Sequence, residues 1–157
     1  MYDPYALAFP AAAFRLSSPD FTDGGPLPAT ALASGGNRPP VLYWNGLPAG
    51  TRSLVLTAFD ADAPIPGGLW HWAVKDVQPV HGEHTTPLTN SLGVAGWSGA
   101  NPPPGTGTHR MIFCATALDV AVLDVPEGAS LALVQILMIP HTLGRGLLTG
   151  TSEAPPA

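Results

Sequence analysis

Four side chains able to carry protons or to meet an ion follow one another along the chain: Asp60 and Asp62 in FDADAP, His71 in LWHW and His109 in GTHR. A carboxylate beside an imidazole is a pairing that moves protons near neutral pH. An imidazolium, joined by backbone N–H groups, is equally a donor set for an anion. Each residue also has a plainer role. Asp62 ahead of Ala63 and Pro64 suits a turn, and His71 between Trp70 and Trp72 suits a core histidine bonded to a carbonyl. Arg110 is expected to pair with one of the aspartates in a structural salt bridge. Two histidines with one or two carboxylates could also hold zinc or iron, but no compact HxxxH-type signature is present. Ser98 in GWSGA is the nearest thing to a hydrolase nucleophile and does not fit GxSxG.

These residues need strand ends to position them. Leu54, Leu56 and Ala58 alternate along a strand over 51–59, after which Asp60 follows directly. His71 opens the next strand, over 70–77, so antiparallel pairing of the two would bring Asp60 and His71 to one sheet edge. A third strand over 110–118, with Ile112, Cys114 and Thr116 on one face, opens at His109. A short strand over 41–44 precedes them, and 1–40 reads as loops wrapping a sheet. The segment 81–109 reads as a long loop, a length that is uncommon unless functional. Its glycines and Pro102 to Pro104 permit backbone N–H groups to face a cavity, with Trp70, Trp72 and Trp97 as apolar walls. Leu131, Val134, Leu137 and Met138 have helical spacing behind Ser130 as N-cap, and Pro140 must kink or restart that helix.

Composition narrows the class. Gly (18) and Pro (19) are abundant among 157 residues while only 17 are charged, which excludes a coiled coil or helical bundle and favours many short elements in a mostly β domain. The chain reads as a single domain over 1–157, with 1–19 and 152–157 as flexible ends. Six basic against 11 acidic residues give a net charge of -5, which offers no basic stripe for nucleic acid. The apolar run 131–139 is broken by Gln135 and is too short to span a bilayer, so no stable membrane insertion is expected. No basic residue precedes Arg15, so a secretory leader is not expected and the cytoplasm is the expected location. The lone Cys114 reads as a small buried hydrophobe.

The strings GGNRPPVLYWNGLPAGTRSLVLTAFDADAP, GLWHWAVKDV, GVAGWSGANPPPGTGTHRMIF and HTLGRGLLTGT, in this order, resemble the phosphatidylethanolamine-binding protein family, in particular its bacterial Raf-kinase-inhibitor-like branch. The resemblance covers about residues 20 to 151. It implies an antiparallel β-sandwich with a short C-terminal helix beside a small anion pocket, and no cofactor. By position its pocket motifs fall on Asp60, Asp62, His71, His109, Arg110, Pro102 and Pro103; the expected ligand contacts are Asp60, Asp62, Ala63, Pro64, Trp70, His71, Trp97, Asn101, Pro102, His109 and Met111, with Arg110 structural. Ala61 stands where the family prefers proline, Trp97 and Met111 where it has tyrosines, and Ser152 in a changed C-terminal motif, so the pocket is expected to be more apolar than usual.

The reading that follows is a module holding a small phosphate- or carboxylate-bearing ligand, with an undefined protein partner, a kinase-inhibitor-like role implied by the family, and homodimer formation as a further expectation. The rival reading is an isomerase, cyclase or dehydratase using Asp60, His71 and His109 for cofactor-free proton transfer.

Overall fold

The computed structural model describes residues 1–80 and 86–155. Eight strands and one α-helix follow in the order β1 (Ala12–Ala13), β2 (Arg15–Ser17), β3 (Tyr43–Asn45), β4 (Ser53–Asp60), β5 (Leu69–Val77), β6 (Thr86–Pro87), β7 (Thr108–Leu118), α1 (Leu131–Met138) and β8 (Thr142–Glu153). Six of the strands form one sheet in the order β1-β8-β7-β4-β5-β6, and β2 with β3 forms a second. All pairings are antiparallel except β1 with β8. The mostly β class and the single helix near the C-terminal end agree with the sequence reading.

The period-two pattern of β4 and β7 gives the large sheet two buried faces. Leu54, Leu56 and Ala58 share one face with Trp72, Val74, Met111 and Phe113, and this face is covered by Leu16, Phe21 and Leu27 of the second layer. On the other face Val55, Ala73 and Leu118 pack against Leu131, Val134 and Met138 of α1. Ser130 caps that helix by accepting from Leu133 N–H at 3.1 Å. A short 3₁₀ turn, Ile139–His141, carries Pro140 where the α-helix stops.

Two expectations need correction. The strand read at 41–44 runs over Tyr43–Asn45 and pairs with β2 in the second sheet. The segment read as a loop over 81–109 is not without structure in its described part: Thr86–Pro87 joins β5, Thr89 bridges Ala95 and Ala100 bridges Leu32. Residues 81–85 of that reading lie outside the described residues.

Strand β8 was not foreseen. Gly144, Gly146 and Gly150 lie on its buried positions, and a Cβ at Gly146 would come within 2.8 Å of the Phe14 ring. The glycines make room for the second layer rather than breaking the strand. At the ends of the chain, Arg145 donates to Phe9 C=O at 3.0 Å, and Glu153 pairs with Thr108 at the end of the β7–β8 ladder.

Candidate functional site

Asp60 is the last residue of β4 and lies opposite Met111 on β7. His109 stands two residues earlier on β7, so the two side chains are diagonal neighbours on the face that also carries Ala58 and Phe113. His109 Nδ1 lies 2.7 Å from Asp60 Oδ2, and its Nε2 lies 2.8 Å from Thr106 Oγ1. Thr106 Oγ1–H in turn donates to Pro103 C=O at 2.6 Å. Both ring nitrogens of His109 are therefore engaged, and the residue is 2% exposed. The other oxygen of Asp60 accepts from Asp62 N–H at 2.8 Å, which closes the turn after β4.

Asp62 faces the next residue of β7. It accepts from Arg110 Nε, Arg110 Nη2 and Arg110 N–H at 2.8, 2.8 and 2.9 Å. This is the expected structural salt bridge, in bidentate form. The hydrogen bonds from Arg110 hold the Asp62 carboxyl below its ordinary range, and the same contact raises Arg110. Asp62 thus faces Arg110, with its charge compensated.

The antiparallel pairing of β4 with β5 is as expected, but Asp60 lies opposite Leu69, so His71 is the third residue of β5 and does not open it. The register steps between the pairs Ala58–Trp72 and Phe59–Trp70, leaving His71 as the extra residue of a bulge. Its Nδ1–H donates to Ser98 C=O at 2.8 Å, and its own C=O accepts from Ser98 N–H at 2.8 Å. A carbonyl can only accept, so Nδ1 carries a proton. His71 is 4% exposed, and its Nε2 has no hydrogen-bond partner among the described residues. Ser98 therefore serves His71 through its backbone, while its hydroxyl accepts from Asn90 Nδ2 at 2.9 Å. That is the arrangement of a scaffold residue, not of a nucleophile.

The aromatic residues divide between the two faces. Trp97 stacks on Phe113, centroids 6.0 Å apart, and meets Trp72 edge-on at 5.8 Å. Its indole Nε1 is buried without a hydrogen-bond partner among the described residues. Trp70, expected as a wall of the same site, instead lies on Phe59 at 4.6 Å and packs with the helix-side cluster. The bulge at His71 separates the two tryptophans, since Trp72 faces one layer and Trp70 the other. Met111 is buried opposite Asp60, Pro102 and Ala63 are half-buried, and Pro64 and Asn101 are exposed.

Two residues of this neighbourhood escaped the sequence reading. Thr106 sits three positions before His109, a local spacing that offered a signal. Asn90 is 5% exposed; its amide donates to His71 C=O, Gly96 C=O and Ser98 Oγ, and its carbonyl accepts from Leu92 and Val94 N–H. Nothing in the string LTNSLG marks it as the clamp of a distant strand.

Among the described residues no group of three or more His, Cys, Asp or Glu side chains is arranged to hold a metal ion. No helix there is long and apolar enough to cross a membrane. A cleft of about 620 Å³ along β3, lined by Val41, Tyr43, Trp44 and Pro79, shares no residue with the Asp60–His109 pair.

Comparison with known proteins agrees with this architecture. The phosphatidylethanolamine-binding protein family matches residues 17–153. The Escherichia coli protein YbhB is 35% identical over 154 residues, covering 86% of this chain and 97% of the relative. The lipoprotein candidate LppC of Mycobacterium tuberculosis is 37% identical over 88% of this chain and 71% of its own. Among solved structures, Escherichia coli YbcL, described as a new member of the mammalian PEBP family, superimposes with a TM-score of 0.83 at 29% identity, covering 90% of this chain and 99% of its own. A homologue from Chlamydia trachomatis gives a TM-score of 0.82 at 30% identity, covering 92% and 100%. With the family matched over residues 17–153 and its fold shared with solved members at TM-scores of 0.82 and 0.83, this chain belongs to the phosphatidylethanolamine-binding protein family.

Proposed function

We propose that the chain binds a small phosphate- or carboxylate-bearing ligand beside His71 and Trp97. The observation that carries this reading is a pair of ring nitrogens without partners on neighbouring segments: His71 Nε2 and Trp97 Nε1. Of the two, Trp97 Nε1–H is a buried donor, and buried donors are ordinarily paired. Trp97 immediately precedes Ser98, which grips His71 on both its N–H and its C=O sides, so the two rings are held in one neighbourhood.

The tautomer sets the ligand chemistry. With Nδ1–H committed to Ser98, His71 presents a lone pair at Nε2 when neutral and an N–H donor when protonated. An anion oxygen is thus met by the imidazolium form, with the Trp97 indole N–H as a second, neutral donor. Phe113 and Trp72 supply the apolar wall for the carbon skeleton that bears the anion. A proton-transfer reaction on a small metabolite would have to run through Asp60 and His71, because His109 has no ring nitrogen to spare.

Calorimetric titration of phosphate, phosphoethanolamine and acetate at pH 6 tests the proposal. Saturable binding by the wild type is expected, weakened at least ~10-fold by His71→Ala, the scale of one lost charge-assisted hydrogen bond. Unchanged binding by His71→Ala overturns it.

A further inference from the structure

We infer that Thr106 is a positioning residue that fixes the charge of the Asp60–His109 pair, and through it the field that a bound anion meets. Its functional readout rests on the anion-binding reading above. The argument is a proton count. Thr106 has one hydroxyl hydrogen, and Pro103 C=O, 2.6 Å away, can only accept it. Thr106 Oγ1 must then accept from His109, so Nε2 carries a proton.

With Nε2–H fixed, the 2.7 Å contact between His109 Nδ1 and Asp60 Oδ2 holds one more proton. That proton belongs either to an imidazolium facing a carboxylate or to a carboxylic acid facing an imidazole. Both arrangements sum to zero charge. Losing it would set two lone pairs face to face in a site 2% exposed at His109, a costly arrangement. A histidine free at Nε2 has a cheaper alternative: it keeps Nδ1–H on the carboxylate, leaves Nε2 bare and makes the pair negative. Thr106 disfavours that third state, because turning its hydroxyl onto a bare Nε2 would break the bond to Pro103 C=O. Asp60 shares its sheet face with Phe113, the ring on which Trp97 stacks, and as part of a neutral pair it does not repel an anion held there.

The order Thr106–His109–Asp60 has the connectivity of a nucleophile, base and orienting carboxylate. The hydroxyl proton points to Pro103 instead of to the imidazole, so Thr106 is not activated for attack. Gly105 and Gly107, at φ +82 and +76, let the chain double back so that Thr106 reaches His109. The other charged groups near His109 are already compensated or turned away: Asp62 is held by Arg110, and Glu153 on β8 accepts from Thr108 at 3.1 Å.

The test combines ¹⁵N NMR of the histidine rings with sulfate titration of wild type, Thr106→Val and Thr106→Ser; sulfate is used because its charge is constant from pH 5.5 to 8.5. In the wild type and Thr106→Ser, His109 Nε2 is expected to stay protonated across that range. In Thr106→Val it should lose its proton at the alkaline end. Sulfate affinity of Thr106→Val should then fall at least ~10-fold at pH 8, stay within about threefold of wild type at pH 5.5, and be restored by serine. A His109 ring spectrum, or a pH 8 affinity, that is the same in Thr106→Val as in wild type overturns the inference while leaving the anion site standing. A wild type that binds no sulfate removes the anion reading instead, and the ring spectra still decide the role of Thr106. Thr106→Ala replaces the valine variant if valine unfolds the loop.

Discussion

Replacing Asn90 by alanine should destabilise the protein by about 2–3 kcal/mol. The amide NH₂ has two hydrogens, shared among His71 C=O at 3.1 Å, Gly96 C=O at 3.3 Å and Ser98 Oγ at 2.9 Å. Two buried hydrogen bonds at ~1 kcal/mol each, plus the desolvation of acceptors left unpaired, give that total. The bonds from Leu92 and Val94 N–H add little, because both residues are exposed and water can replace the lost acceptor. Urea unfolding followed by tryptophan fluorescence should show the midpoint falling by ~1–2 M at unchanged slope. Asn90→Asp is the sharper probe: it keeps the acceptor and removes both donors, so it should be at least as damaging at pH 7. A shift below ~0.5 kcal/mol in Asn90→Ala, or an aspartate variant as stable as wild type, would refute the claim that this amide clamps His71 and Ser98.

Asp62→Asn should cost about 1 kcal/mol at pH 7, a bidentate pair discounted for the 19% and 30% exposure of its side chains. Because hydrogen bonds from Arg110 depress the Asp62 carboxyl, its contribution is complete above the unfolded value of ~3.9 and is lost as pH falls through the folded one; acid titration of stability should show the wild-type advantage shrinking as pH falls below ~3.9, and a gap that does not narrow on acidification contradicts it. Cys114 is 2% exposed, and burial pushes its thiol up to about 11. It should ignore Ellman's reagent at pH 8 until the protein is unfolded; stoichiometric labelling of the native protein within minutes would show a breathing sheet.

What could be read from the sequence was what short-range physics dictates. The alternation of Leu54, Leu56 and Ala58 belongs to β4 because successive side chains of a strand point to opposite faces, and these three meet one buried layer while Val55 meets the other. Ser130 announced α1 through a cap that acts within one turn. The pairing of Arg110 with an aspartate followed from the cost of leaving a guanidinium near buried residues unpaired.

The misses were long-range. Gly144, Gly146 and Gly150 look like breakers until Phe14 and Leu27 are seen to occupy the space their missing side chains leave. His71 looked like the first residue of a strand edge, yet the bulge turns it away from Trp70 and towards Ser98. The same bulge sends Trp70 to the helix side, which no pattern within LWHW could reveal. Asn90 acts on residues 6 to 19 positions away, and only the folded chain brings them within reach. Thr106 was nearest to being legible, but its role depends on which acceptor takes its hydrogen.

The central claim is that His71 meets an anion as its imidazolium. Titrating sulfate at pH 7.5 in two buffers of different ionisation enthalpy measures the protons taken up on binding. The account predicts that sulfate binding takes up protons and that this uptake is abolished in His71→Ala. Sulfate binding with no proton uptake and no dependence on pH would contradict it.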